Sequence, residues 1–133
     1  MPDFTGVHHL ALTVSDLDRA ERWYCDVLGL QKLVDMPESD EHRISLLIHP
    51  GSQLLVGLHW HAGNDGSAFS ETRCGLDHAS FGVADRGALE EWKARLDELG
   101  VDNSGITDAP YGFVLVFRDP DNIQLELFSM PPG

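Results

Sequence analysis

GLDHASFGVAD, residues 75–85, repeats GVHHLALTVSD, residues 6–16, and this duplication decides how the rest of the chain is read. With residue 6 laid on residue 75, an offset of 69 positions, Gly6 meets Gly75, His9 meets His78, Val14 meets Val83 and Asp16 meets Asp85. The same ungapped register continues to Glu21 on Glu90 and Trp23 on Trp92. Self-similarity at one period marks a repeated supersecondary unit, and this period exceeds the roughly 20–50 residues of solenoid repeats. It suits two modules, each a small sheet with a helix.

Working outward from the repeat, residues 7–14 alternate, with His8, Leu10, Leu12 and Val14 on one face and His9, Ala11 and Thr13 on the other. His8 therefore falls on the packing face and reads as structural. Ser15 or Asp16 caps a helix whose stripe is Leu17, Ala20, Tyr24, Val27 and Leu28 and which Gly29 ends. Strand patterns follow at Leu30 to Val34 and Ile44 to His49, with the polar run Pro37 to His42 between them as a turn or exposed loop. After Pro50-Gly51-Ser52 a fourth strand, Gln53 to Trp60, puts Leu54, Val56 and Leu58 on one face and Leu55, Gly57, His59 and His61 on the other. The first module, 6–61, is βαβββ.

Residues 62–74, rich in Gly, Ser and Asn, connect the modules as a tether or lid, in which Phe69 and Arg73 are weak substrate-contact candidates. The second module, 75–128, repeats the plan. Asp85 caps a helix with Leu89, Trp92, Leu96 and Leu99 turned inward and Gly100 at its end. Strand 113–118 runs into the turn Asp119-Pro120-Asp121-Asn122, and 123–128 closes the chain with Ile123, Leu125 and Leu127 packing and Gln124, Glu126 and Phe128 on the opposite face. The expectation is an α+β fold in which 1–133 forms a single domain, its helices outside and its sheet faces lining a cleft.

Charge and composition narrow the partners. A formal charge of −13 excludes a Lys/Arg footprint for nucleic acid or an anionic membrane. No apolar stretch approaches the ~18 residues of a membrane span, and Met1-Pro2-Asp3-Phe4 does not open a secretory signal, so a cytoplasmic protein with a small-molecule substrate is expected. Cys25 and Cys74 lack metal or redox spacing and read as reduced bystanders.

In each module the face away from the helix carries small residues, Ala11 and Thr13 in one and Ser80 and Gly82 in the other. His9 and His78 stand at matched positions beside that room. Glu126 shares this kind of face on the last strand, where a carboxylate among Leu125, Leu127 and Phe128 is expensive to bury unless paired or metal-bound. Two imidazoles and one carboxylate form the ligand set of a divalent transition metal with open positions.

The paired segments HLALTVSD and HASFGVAD, with FRDPDNIQLELF at 117–128, resemble the vicinal oxygen chelate superfamily. That superfamily includes glyoxalase I, extradiol catechol dioxygenases, fosfomycin-resistance transferases, an acyl-CoA epimerase and bleomycin-binding proteins. The resemblance covers about residues 6 to 128 and implies paired βαβββ modules around a divalent ion (Fe, Mn, Ni or Zn) held by His9, His78 and Glu126. It also implies a homodimer. One departure matters: overlaying 54–58 on 123–127 puts Gly57 where glyoxalase I-like members carry a fourth ligand. His59 is then a fourth ligand through a small bulge, a cleft acid or base, or a structural residue.

On this reading the chain is a metalloenzyme, dioxygenase-like or glyoxalase/lyase-like, that chelates a small substrate through adjacent oxygens. Glu126 and His59 are its catalytic candidates, while His61, Tyr111 and Phe128 are cleft contacts. The alternative is a protein that sequesters an antibiotic of the bleomycin type, with Trp60, Phe69, Phe113 and Phe128 lining a stacking cleft. A fosfomycin-type transferase is disfavoured because Arg73 and Arg118 alone could hold a phosphonate, and Arg118 reads as a surface or turn-pairing residue.

Overall fold

A computed structural model describes residues 1–132. The chain divides into two compact units, 1–67 and 68–133, each described here by itself. The first contains β1 (His9–Thr13), α1 (Leu17–Leu28), β2 (Gln31–Asp35), β3 (His42–Ile48) and β4 (Leu55–His61). The second contains β5 (Ala79–Gly82), α2 (Arg86–Glu98), β6 (Asn103–Ala109), β7 (Gly112–Arg118) and β8 (Gln124–Ser129). Both sheets have the same order, β1-β4-β3-β2 and β5-β8-β7-β6, with the first strand parallel to the last and the other pairs antiparallel. The fold is thus α+β, built from two βαβββ modules.

The local chemistry of the repeat explains the match. The carboxylates of Asp16 and Asp85 each accept from the backbone N–H three residues on, at Arg19 and Ala88, and so satisfy a donor that a helix N-terminus would leave orphaned. Gly29, at φ 73, donates to the Cys25 carbonyl in the left-handed C-terminal cap, and the N–H of Leu30 donates to that of Tyr24. In the first unit Leu12, Val14, Leu17, Ala20, Tyr24, Val27, Leu28, Leu47, Val56 and Leu58 are buried between α1 and one face of the sheet. In the second, Ala79, Leu89, Leu96, Leu115, Phe117, Leu125 and Leu127 do the same. Each fully buried large apolar side chain contributes about 1.5–3 kcal/mol. The helices are therefore held by their stripes rather than by propensity.

Three expectations are corrected, and one strand had no individual reading in the sequence. The Pro37–His42 run is not all loop, because β3 begins at His42, whose backbone pairs with His61. The polar strand β6, NSGITDA, carried no apolar alternation to find it by, and Gly105 at φ 68 marks a register shift within it. Leu99 is the C-cap of α2 and is 46% exposed, because the buried stripe is exhausted at Leu96. His8 lies just outside β1 and is exposed, so it is not part of the face packed under the helix.

The 119–122 turn forms as its residues require. Asn122 adopts φ 68, and the Asp119 carboxylate accepts from the N–H groups of Asp121 and Ile123. Arg118 donates to the Asn122 carbonyl and makes a two-point pair with Glu71 at 3.1 Å. Phe69 donates its N–H to the Asp121 carbonyl and accepts from the Asn122 side chain, so the second half of the connecting segment is sewn to this turn.

Candidate functional site

Strand register determines which residues share the face away from each helix. In the first unit His9, Ala11 and Thr13 of β1 stand opposite Leu55, Gly57 and His59 of β4, while His42 and Ile44 of β3 stand opposite His61 and His59. In the second, Ser80 and Gly82 stand opposite Glu126 and Phe128, which in turn face Val116 and Val114.

His78 and Glu126 come together. Glu126 is largely buried, its side chain 16% accessible, and its Oε2 lies 3.3 Å from His78 Nε2. The other carboxylate oxygen accepts from the Gln124 amide at 3.3 Å. The other ring nitrogen, His78 Nδ1, lies 2.7 Å from Asp77 Oδ1. An ionised Asp can only accept, so the proton belongs on Nδ1. In neutral imidazole Nε2 then presents a lone pair to a carboxylate that also only accepts. An imidazolium would satisfy both carboxylates by donating from each nitrogen; with the Nε2 proton released, Nε2 and Oε2 form a nitrogen and carboxylate-oxygen donor set of the kind that suits a divalent ion.

His9, on the matching position of the first unit, is exposed and its Nδ1 lies 2.9 Å from His8 Nδ1. His8 is thus a neighbour that can set the His9 tautomer rather than a packing residue. His59 sits further along the same face. No bulge carries it there, since β4 pairs in unbroken register with both β1 and β3. Instead the imidazole folds back over Gly57: a Cβ built on Gly57 would meet His59 Nε2 at 3.2 Å and Cδ2 at 3.5 Å. His59 Nδ1 is 2.8 Å from His42 Nε2, and His42 stacks on His61 with ring centroids 4.4 Å apart and planes within 6°. Burial above all, then the neighbouring imidazoles of His42, His61 and His9, lowers the His59 pKa below its ordinary 6.5. His59 is thereby held in its neutral, lone-pair-bearing form.

Tyr111, in the β6–β7 turn, is 67% exposed and stacks on Phe128 with centroids 5.9 Å apart. Trp60 and Phe113, by contrast, alternate onto the helix faces. Trp60 pairs with Arg43, which reaches Asp18 of α1, and Arg86 of α2 lies 4.9 Å over the Phe113 ring. Within the second unit, Phe113 and Phe128 therefore lie on opposite faces of the sheet.

The sequence profile of the Glyoxalase/Bleomycin resistance protein/Dioxygenase superfamily matches residues 6–127. The chain belongs to this superfamily. Its fold overlays a solved glyoxylase/bleomycin resistance protein/dioxygenase domain from Frankia sp. EAN1pec with a TM-score of 0.89 at 37% identity, covering 97% of this chain and 100% of that one. The uncharacterized protein YaeR of Escherichia coli is 30% identical over 129 residues, 92% of this chain and 95% of its own. The putative ring-cleaving dioxygenase MhqA of Bacillus subtilis is 25% identical over 130 residues. That match takes in 98% of this chain but spans only 41% of the relative.

Within this superfamily scaffold the equivalence of the two last strands follows from pairing. Ala11 faces Gly57 as Ser80 faces Glu126, and Thr13 faces His59 as Gly82 faces Phe128, all at the offset of 69 seen in the sequence. Gly57 thus occupies the position that Glu126 holds in the other module. The sequence reasoning missed His42 and Asp77. Asp77 had a signal, being a carboxylate next to a candidate ligand, whereas His42 depended on the β3–β4 register, which the uncertain length of the intervening turn concealed. Among the described residues no helix is long and apolar enough to cross a membrane, and Cys25 and Cys74 are free thiols.

Proposed function

We propose that this chain is a divalent-metal-dependent enzyme of the superfamily, acting on a small substrate through two adjacent oxygens, with His9, His78 and Glu126 as the residues that hold the ion. The observation that carries the reading is the 3.3 Å approach of two metal-ligating atoms, His78 Nε2 and Glu126 Oε2, with Asp77 holding the opposite ring nitrogen. A divalent ion bound there supplies Lewis acidity to both substrate oxygens. Two His and one carboxylate, with glycine where Glu126 has its counterpart, leave the open positions typical of non-haem Fe(II) oxygenases. Together with the likeness to MhqA, this favours ring-cleaving dioxygenase chemistry over lyase or isomerase chemistry.

The side chains have distinct tasks. Asp77 fixes the His78 tautomer and ring orientation, and Gln124 holds the second Glu126 oxygen. His59 is the acid–base group: its Nε2 accepts a proton from the bound substrate while Nδ1–H passes its own to His42 Nε2, 2.8 Å away. His61, Tyr111 and Phe128 supply contacts for the organic part of the substrate. We further infer that the enzyme works in the cytoplasm as a homodimer, in keeping with its free thiols and with the negative charge that disfavours nucleic acid and membrane partners.

The test begins with metal analysis of protein purified anaerobically without chelator. Fe(II)-loaded protein is then assayed with a panel of catechols and O2 for the absorbance of ring-opened products. His78→Ala and Glu126→Ala should each lose the ion and the activity with an unchanged far-UV spectrum. Wild-type metal retention in both variants would refute the ligand set; retained metal without ring cleavage would move the reaction to the lyase or isomerase class.

A further inference from the structure

We infer that His42, His59 and His61 form a second divalent-cation site, contained entirely within the first module and suited to Zn2+ or Co2+. One nitrogen from each ring lies within 4.8 Å of the other two. The rings form a stack, with interplanar angles of 23° for His42 and His59, 6° for His42 and His61, and 17° for His59 and His61. His42 and His59 meet edge to edge, Nε2 facing Nδ1 at 2.8 Å, so these two lone pairs point into a common gap, beside which His61 lies stacked on His42. Three imidazoles with a free fourth position are an established ligand set for tetrahedral zinc, and imidazole suits the later divalent first-row ions.

The backbone already holds the three residues in place. On one side the Ser39 N–H and hydroxyl donate to the His42 carbonyl while the His42 N–H donates to Ser39 Oγ. On the other, Ala62 N–H donates to the Glu41 carbonyl and Asn64 N–H to that of His61. Strand pairing sets His42 directly across from His61, with His59 two residues further along β4 on the same face. His42 and His59 are half-buried and His61 is exposed, so an ion reaches them from solvent.

Loading requires the three nitrogens to reach the roughly 3.3 Å spacing that one tetrahedral ion imposes, from separations of as much as 4.8 Å. The His42 Nε2···His59 Nδ1 contact of 2.8 Å is a hydrogen bond with one proton between two nitrogens. A shift of the donor ring to its other tautomer moves that proton to its far nitrogen and aims both lone pairs at the ion. At bond lengths of about 2.0–2.1 Å the two nitrogens must part by a few tenths of an ångström. Rotation about the broad imidazole χ2 torsions supplies this. The site draws its three ligands from the first module alone, whereas His78 and Glu126 belong to the second. An ion here takes the His59 lone pair, so on the proposed-function reading its occupancy and proton transfer by His59 exclude each other.

The experiment is a spectrophotometric Co2+ titration of the full chain, with far-UV spectra of every variant. The wild type should bind two ions per chain, and the His42→Ala/His61→Ala double variant and His78→Ala one each. His61→Ala alone, at an exposed position, should weaken one of the two sites at least tenfold. A double variant that binds as many ions as the wild type overturns the inference, and so does a wild type that binds one ion in all, absent from both His78→Ala and the double variant. One ion lost only in His78→Ala overturns this inference and leaves the proposed ligand set standing; one ion lost only in the double variant does the reverse.

Discussion

Substitution of Gly57 by alanine sets two effects of opposite sign against each other. The backbone of Gly57 lies outside the positive-φ region, and a Cβ there would meet Ala11 Cβ at an ordinary 3.8 Å, so the strand itself accepts alanine. Replacing glycine within a strand should stabilise by about 0.5–1 kcal/mol, because the unfolded chain loses freedom. Against this, the new methyl would stand 3.2 Å from His59 Nε2 and push the imidazole off its perch. A tilt of the ring costs about 0.5–1.5 kcal/mol, and weakening the bond to His42 about as much again. Gly57→Ala should therefore destabilise the protein by about 1 kcal/mol, a Tm loss of roughly 3–5 °C. In a His59→Ala background the collision is gone, and the same substitution should stabilise by about 0.5–1 kcal/mol. Urea denaturation of the four proteins in chelator, analysed as a double-mutant cycle, reads the coupling directly. If Gly57→Ala changes stability by the same amount in both backgrounds, His59 does not occupy the space over Gly57 and the placement of the imidazole is refuted.

Two further outcomes test the second module. Asp77→Ala removes the acceptor from His78 Nδ1 and should weaken metal binding about 10–100-fold without abolishing it, as measured by competition with a chromophoric chelator. Unchanged affinity would deny Asp77 its orienting role, and complete loss would make it a ligand. Arg118→Gln addresses acid stability: its two hydrogen bonds hold the Glu71 carboxyl at about 2, well under its ordinary 4.5. A depressed folded-state pKa contributes stability that is present above 4.5 and is lost as pH falls toward about 2. Wild type should thus exceed the variant at neutral pH and converge with it by pH 2; a gap constant across that range would show that the pair does not act through Glu71 ionisation.

What the sequence made legible was what depends on period and capping. The repeat, the Asp16 and Asp85 caps, the α1 stripe and the alternation of β8 are local signals, and each is satisfied by local physics. The polar strand β6 was invisible because its place comes from pairing with β7 rather than from its own side chains. The functional face divided along the same line. His78 and Glu126 were found because one repeats His9 and the other is a carboxylate set among apolar neighbours. His42 was lost because a histidine at the end of a polar run gives no sign of which strand residue it will stand beside. A one-residue slip in the β3–β4 pairing would have turned it to the helix side.

The two modules share a frame and differ in what they leave room for. His59 and Phe128 occupy equivalent positions, paired with Thr13 and Gly82. Both rings lean into space that a glycine vacates, but in different directions. His59 folds along its own strand onto Gly57, the counterpart of Glu126. Phe128 reaches instead toward Gly112, where an added Cβ would stand 2.6 Å from the ring and 2.3 Å from the Ser129 carbonyl oxygen. The direction of each ring decides what the module can present. With Phe128 turned away, the place beside Ser80 stays open for the Glu126 carboxylate to meet His78; with His59 turned inward, the matching place beside Ala11 holds an imidazole nitrogen in its stead. Duplication thus supplied two similar faces, and two glycines at different positions made one of them carboxylate-bearing and the other rich in imidazole.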